Sequence, residues 1–224
     1  MYKKDEFKKL DVTYNTHLYT GLIGFAMSYC HRHLEKFNKK EKYSKVLEIG
    51  AGSAPHLDYL KHDYDEYFVV ETSDFALEFY KEKKNIKASH YDGKKLPFED
   101  NFFDRIIISH CLEHIIEPEK FLFEMMSKLK NDGVLSISLP TDPGILWRLG
   151  RFFTRCFTLN KTYKISKEEY EYLNAIEHIN SIYNLINLIR YNFKNQIEEY
   201  YIPSRIKLPD INLFYNVHIT KSNS

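Results

Sequence analysis

The sequence predicts an α/β chain built on a mostly parallel sheet, and three observations carry that expectation. Five short apolar runs lie between Lys45 and Pro140, with helix-like segments between most of them. That alternation is the pattern of right-handed βαβ units. The first run, "KVLEIG", ends on Gly50-Ala51-Gly52, and a segment that can turn helical follows. The second run ends about twenty residues later on an acid, Glu71, as in nucleotide-binding βαβ units.

Taken in order, residues 17–38 read as a helix ahead of the first strand, "KVLEIG". "PHLDYLKH" reads as a helix, "EYFVVET" as the second strand, and "DFALEFYKEKK" as a helix with Ser73 or Asp74 as its N-cap. "IKASHYD" is a weaker third strand, and "FDRIIISHC" a fourth, with the isoleucine run of a strand buried on both faces. "PEKFLFEMMSKLK" is a helix with Pro118 in its first turn and "NDG" ending it, before the fifth strand, "VLSISLP". Residues 141–177 show no strand pattern and read as a helical insertion or lid. The helix "SIYNLINLIRYNF" and the strands "QIEEYYIP" and "LFYNVHITK" complete the chain. One domain over 1–224 is expected, with residues 1–43 as an N-terminal helical cap.

The bulk chemistry excludes some classes. There are 32 Lys+Arg against 31 Asp+Glu, a net charge of +1, unlike the basic excess of a nucleic-acid binder. Cys30, Cys111 and Cys156 lack C-x-x-C spacing and read as reduced thiols. No signal peptide or membrane span is visible, so a cytoplasmic location is expected.

The glycine loop discriminates between ligands. Gly50 and Gly52 let the backbone approach a ligand closely. A dinucleotide fingerprint needs a third glycine at position 55, where Pro55 stands with no N–H to offer a phosphate. Glu48 would repel a pyrophosphate and attract an ammonium. A phosphate-free nucleoside with a cationic end fits better, and S-adenosylmethionine (SAM) is such a ligand. Glu71 is placed to accept from two ribose hydroxyls.

"VLEIGAGSAPHLDYL", "VVETSDFAL", "YDGKKLPFEDNFFDRIIISHCLEHI" and "EPEKFLFEMMSKLKNDGVLSISLP" resemble successive motifs of class I SAM-dependent methyltransferases, over roughly residues 44–140. The resemblance implies a Rossmann-like seven-stranded sheet flanked by helices, with the last strand antiparallel. It also implies SAM as cofactor and S-adenosylhomocysteine (SAH) as product. It places Glu48, Gly50, Ala51 and Gly52 around the methionine part, and Glu71 and Thr72 at the ribose and adenine. Asp92 and Gly93 fall at the adenine amino group, and Ser109 and His110 under the sulfonium. Tyr14, His17 and Tyr19 would close the pocket from the N-terminal segment.

His110, Glu113 and His114 have the i, i+3, i+4 spacing of metal ligands on a helix. Some quinone-precursor O-methyltransferases resemble this segment, with an acid where His110 stands. That departure, and Pro118 close behind, lead to the expectation that no metal is bound. A hydroxyl acceptor needs a base with a pKa near 7. The candidates are His178 in "EHIN", His114, and Asp142 in "PTDPG".

From Thr141 to Lys164 there are five basic residues against one acid, Asp142. On a helix Arg148, Arg151 and Arg155 share one face and Leu146, Leu149, Phe153 and Phe157 another. The arginines suit a phosphorylated or otherwise anionic acceptor. They also suit an interfacial helix with Trp147 and the phenylalanines in lipid, which is the less favoured expectation. "DPG-x-LWRLGR … EHIN" loosely resembles bacterial methyltransferases of surface-polysaccharide and nucleotide-sugar loci. The expected function is O- (or N-) methylation of a small, anionic, phosphate- or sugar-nucleotide-linked metabolite in that biosynthesis. The alternatives are an NAD-type oxidoreductase, a non-catalytic scaffold with the same fold, and a methyltransferase for a membrane-associated lipid.

Overall fold

The computed structural model describes residues 21–52, 56–81, 83, 85–157 and 166–222. The elements are α1 (Gly21–Lys36), β1 (Lys42–Ile49), β2 (Asp63–Glu71), α2 (Asp74–Glu78), β3 (Ile86–His90), β4 (Phe103–Ser109) and α3 (Pro118–Lys128). They continue with β5 (Leu129–Pro140), α4 (Ile145–Phe157), α5 (Lys167–Glu177), α6 (Ile182–Asn192), β6 (Ile197–Ile202) and β7 (Phe214–Thr220).

The strands form one seven-stranded sheet in the order β3-β2-β1-β4-β5-β7-β6. β1 to β5 are parallel; β7 runs antiparallel between β5 and β6. The last strand is therefore antiparallel, as expected. The chain winds from β1 outward to β3 and then crosses back to β4, beside β1. That reversal opens a crevice at the carboxyl ends of β1 and β4, where open α/β sheets bind ligands.

Both faces of the sheet are covered. Ile106 and Ile108 of β4 pack in a core with Phe121, Leu122 and Met125 of α3 and Leu185, Ile186 and Ile189 of α6. Ile107, between them, faces the other way, into a core with Val46, Tyr67, Val69 and Leu34 of α1. This is the period-two alternation of a strand buried on both sides. Each such side chain contributes roughly 1.5–3 kcal/mol.

α1 is held by Met27, Cys30, His31, Leu34 and Glu35, all buried, at the i, i+3, i+4, i+7, i+8 spacing of one helix face. Glu35 meets Arg105 of β4 at 2.6 Å, with both side chains fully enclosed. Arg105 also donates to Ser136 Oγ of β5 at 3.1 Å, and that oxygen lies 3.0 Å from His218 Nδ1 of β7. A buried polar line therefore runs from the cap helix across three strands. Among the described residues, no helix is long and apolar enough to cross a membrane.

Several expected boundaries shift. The helix expected at "PHLDYLKH" is, in its described part, a 3-10 turn, His56–Tyr59. It stops early because β2 starts at Asp63, where it pairs with Lys42. The helix expected over "DFALEFYKEKK" ends at Glu78, although Ser73 caps it as anticipated. The "NDG" turn does not end α3. The helix stops at Lys128, and Leu129 already pairs with Phe103. Asn131–Gly133 bulges out of β5, with Asp132 in the left-handed region, before Val134 resumes pairing with Arg105.

Candidate active site at the carboxyl edge of the sheet

The glycine loop leaves β1 where the sheet reverses. Gly50 has φ +64°, and a Cβ there would stand 2.8 Å from Cys111 Sγ, so both conformation and space demand glycine. Gly52 and Gly93 also have positive φ. Glu71, at the end of β2, ties the loop down. Its Oε2 accepts from the Gly52 N–H at 2.9 Å, and its Oε1 accepts from the Thr72 N–H at 2.8 Å. Pro55 and the proposed pocket-closing Tyr14, His17 and Tyr19 lie outside the described residues.

Glu48 does not project openly into the crevice. It is buried, and its Oε2 accepts from the Tyr67 hydroxyl at 2.6 Å. Burial holds its carboxyl above the usual value, with His56, Tyr67 and Arg105 opposing. Asp92 is exposed after β3, and its Oδ1 closes a turn by accepting from the Lys94 N–H.

At the end of β4, His110 takes a left-handed φ of 53°, uncommon for a residue with a Cβ. The Ser109 Oγ and His110 Nε2 are buried and have no hydrogen-bond partner among the described residues. Beside the Gly50 cradle, two orphaned polar atoms at this edge are what a bound polar ligand would satisfy. Burial, then the neighbouring His178, His114 and His56, push His110 down to about 3.

Three segments meet beyond β4 and β5. Glu113 and His114 lie in a 3-10 turn, Asp142 follows β5, and His178 caps α5. Backbone bonds clamp them: the Asn180 N–H donates to the Glu113 carbonyl at 3.1 Å, and the Ile182 N–H to the Asp142 carbonyl at 2.8 Å. The Asn180 side chain adds a bond to the Ile115 carbonyl at 2.6 Å.

His178 Nδ1 lies 2.8 Å from Asp142 Oδ2. With the carboxylate accepting, Nδ1 carries the proton and Nε2 keeps the lone pair. Burial lowers the His178 pKa, but the Asp142 hydrogen bond and the charges of Glu113, Asp142 and Glu177 outweigh it, and the net direction is upward. His114 donates from Nδ1 to the Glu177 carbonyl at 2.8 Å. Burial, then His178, push His114 down to about 4. Burial pushes Glu113 up to about 7, against the attraction of His178.

The three candidate catalytic residues, His114, Asp142 and His178, thus come together. Glu113, which the H-x-x-E-H spacing already grouped with His114, lies beside them.

α4 carries the arginines on one side as anticipated. Arg148, Arg151, Phe152, Arg155 and Glu171 line a shallow surface pocket. Arg151 and Arg155 both pair with Glu171 of α5, at 3.0 and 3.3 Å, and Arg151 lies 3.6 Å from Asp142. Leu149 and Phe153 are about half exposed, at 48% and 51%, whereas Trp147 packs against the core formed by Met27 and Phe214. Lys161 and Lys164 lie outside the described residues.

A family model described as a methyltransferase domain matches residues 47–137, from β1 through β5. Over that stretch the chain is similar to methyltransferase domains. The chain is similar to a demethylmenaquinone methyltransferase of Staphylococcus epidermidis, 31% identical over 153 residues, 63% of this chain and 64% of that protein. It is 36% identical over 112 residues to one from Staphylococcus aureus, 46% of each chain. The chain therefore spans less than two thirds of the length of these relatives.

Among solved structures, a SAM-dependent methyltransferase from Thermotoga maritima matches at TM-score 0.61 and 18% identity, covering 97% of this chain and 95% of that one. The plantazolicin methyltransferase BpumL, in complex with a monoazolic desmethylPZN analogue and SAH, matches at TM-score 0.65 and 15% identity, over 98% of this chain and 91% of that one. At these identities the likeness speaks for the fold. The Gly50 cradle with the orphaned Ser109 and His110 atoms fits a small polar ligand.

Proposed function

We propose that the chain transfers the methyl group of SAM to a hydroxyl oxygen of a small molecule seated against His114, His178 and Asp142. The observation that carries this reading is the His178 Nδ1 to Asp142 Oδ2 contact of 2.8 Å, which leaves Nε2 free to take a proton. SAM supplies an already activated methyl on a sulfonium, so the protein's part is alignment and proton removal. An amine acceptor would need only its neutral form held in place, and a positioned histidine–carboxylate pair is better suited to a hydroxyl.

In this reading Gly50, Ala51 and Gly52 hold the methionine part through backbone groups. Glu71 gives up part of its hold on the loop to take the ribose hydroxyls, with Thr72 beside the adenine. Asp92 and Gly93 meet the adenine amino group, and Ser109 and His110 lie under the sulfonium. α4 and α5 form a lid. Arg148, Arg151 and Arg155 favour an acceptor with an anionic group, such as a sugar nucleotide of surface-polysaccharide synthesis. That group would compete with Glu171 for Arg151 and Arg155.

A second acceptor reading has its own support. The half-exposed Leu149, Phe152 and Phe153 of α4 suit contact with a membrane-associated lipid, and the curated relatives are demethylmenaquinone methyltransferases.

The test is calorimetry with SAH, followed by mass spectrometry of methyl transfer to sugar nucleotides and to vesicle-borne demethylmenaquinol. Transfer to the first class supports the anionic acceptor, and transfer to the second supports the lipid. If neither SAM nor SAH binds, the reading fails.

A further inference from the structure

Glu113, His114 and His178 turn donor atoms toward a common point: one ligand atom from each lies within 4.8 Å of the others. His114 Nε2 stands 3.8 Å from Glu113 Oε1, and the two imidazole rings are 5.1 Å apart at 74°. Neither ring is free to turn. His114 Nδ1 is held by the Glu177 carbonyl, and His178 Nδ1 by the Asp142 carboxylate. A backbone carbonyl on one histidine and a carboxylate on the other are the outer-shell partners that fix the tautomer of metal-binding imidazoles. They leave Nε2 of each ring as the coordinating nitrogen.

The third group supplies the charge. Glu113 is 3% exposed, and its Oε2 has no hydrogen-bond partner among the described residues. A buried unpaired carboxylate oxygen is costly unless a cation or donor meets it. The surrounding backbone clamps through Asn180 hold the 3-10 turn and the end of α5 together, so the three donors are preorganised.

We propose that Glu113, His114 and His178 form a binding site for a divalent transition-metal ion. Two imidazoles and one carboxylate suit ions of the zinc, manganese or iron kind over magnesium or calcium, which prefer all-oxygen shells. Three protein ligands leave coordination positions open. The proposal rests on the acceptor site above in one respect: the ion lies where the acceptor oxygen is seated. An acceptor hydroxyl coordinated there is more acidic, and its proton leaves to water. His178 Nε2 is then a ligand, and its proton-accepting role belongs to the metal-free protein. The H-x-x-E-H segment was expected to hold no metal. The change comes from His178, which the fold delivers from the far end of α5, while His110 is not one of the three.

The probe is Co²⁺ alone, titrated into the full chain after chelator treatment and followed by calorimetry and visible absorption. One equivalent should bind and develop ligand-field bands. Glu113→Gln, His114→Ala and His178→Ala should each weaken binding by ~10-fold or more, and Asp142→Asn, acting through His178, by ~10–100-fold. SAH affinity, measured on the same samples, should be unchanged and so show that the variants are folded. No stoichiometric binding, or equal Co²⁺ affinity in all variants, overturns the site. SAH binding without Co²⁺ binding removes the metal and leaves methyl transfer standing. Co²⁺ binding without SAH binding does the reverse.

Discussion

Arg105 Nη2 donates to Glu35 Oε1 at 2.6 Å, and neither side chain reaches solvent. The pair fastens the cap helix α1 to β4, near the start of that strand. His56 Nε2 contacts the same Glu35 oxygen at 3.0 Å, and the Lys61 N–H donates to the other at 3.2 Å. Removing the acid alone strands a buried guanidinium. Glu35→Ala should therefore destabilise the fold by about 3–5 kcal/mol, read as a lower urea midpoint. Glu35→Leu with Arg105→Met should cost much less than Glu35→Ala, because no lone charge is left inside. Equal losses would mean that packing, not charge, dominates at this joint.

Acid should weaken the same network. Burial, then the charge of Arg105, holds His218 down at about 4 in the folded protein. An unfolded histidine titrates near ~6.5, so between these values the native state binds fewer protons than the unfolded chain. The stability is complete above pH ~6.5 and is lost as pH falls toward 4, by roughly 3 kcal/mol for this group. Burial and the neighbours His56 and His110 lower His31 in the same direction. Burial opposes ionisation of Glu35, but Arg105 and His56 outweigh it and depress its pKa. Its share is kept above the usual carboxylate range and lost at still lower pH. Urea midpoints should fall from pH 6.5 to 4, the depressed histidines outweighing Glu113, whose raised pKa works in the other direction.

Gly50→Ala meets two penalties, a left-handed φ and a 2.8 Å contact with Cys111 Sγ. The conformational part alone costs roughly 1–2 kcal/mol. Gly52→Ala has φ +53° but no atom within 4 Å of the new methyl. Melting temperature should fall further for Gly50→Ala, and SAH affinity should be lost with it. A Gly50→Ala protein that melts and binds SAH normally would mean that the loop is not the ligand cradle.

Glu71→Ala removes the acceptor of the Gly52 and Thr72 N–H bonds as well as the proposed ribose contact. Hydrogen bonds to a charged group are worth ~1.5–3 kcal/mol, about 10–150-fold in affinity. SAH titration of Glu71→Ala against Glu71→Gln measures this, and the amide should recover only part of the loss.

In the metal-free protein, His178→Ala should lower kcat by ~10²–10⁴, the usual range for a lost general base, with SAH affinity unchanged. Asp142→Asn should act in the same direction by allowing the wrong imidazole tautomer. Steady-state rates on the acceptor identified by mass spectrometry decide it. A kcat within twofold of the parent would assign His178 to structure.

What could be read from the sequence was local. The Ile106–Ile108 run and the alternation of strands and helices announce the sheet, and Gly50 with Glu71 announces the crevice, because each signal lies within one element or one βαβ unit. The opposite holds for Asp142 with His178, and for Glu35 with Arg105, which pair across 36 and 70 residues. Such pairs leave no periodic trace. "NDG" misled as a helix stop because the same turn chemistry serves a bulge inside β5. His114 and His178 were each legible as candidates, but their convergence with Glu113 depends on Asn180, a residue whose bonds are visible only in three dimensions.

The placement of β7 fixes an order of assembly. β6 precedes β7 in the chain, yet it joins the sheet only through β7, which pairs with β5 on its other side. During synthesis β6 leaves the ribosome with no strand to dock on, and β5 keeps an open hydrogen-bonding edge. Both wait for residues 214–220. Closing the sheet is thus a late, long-range event, and the nascent chain carries an unpaired parallel edge until then.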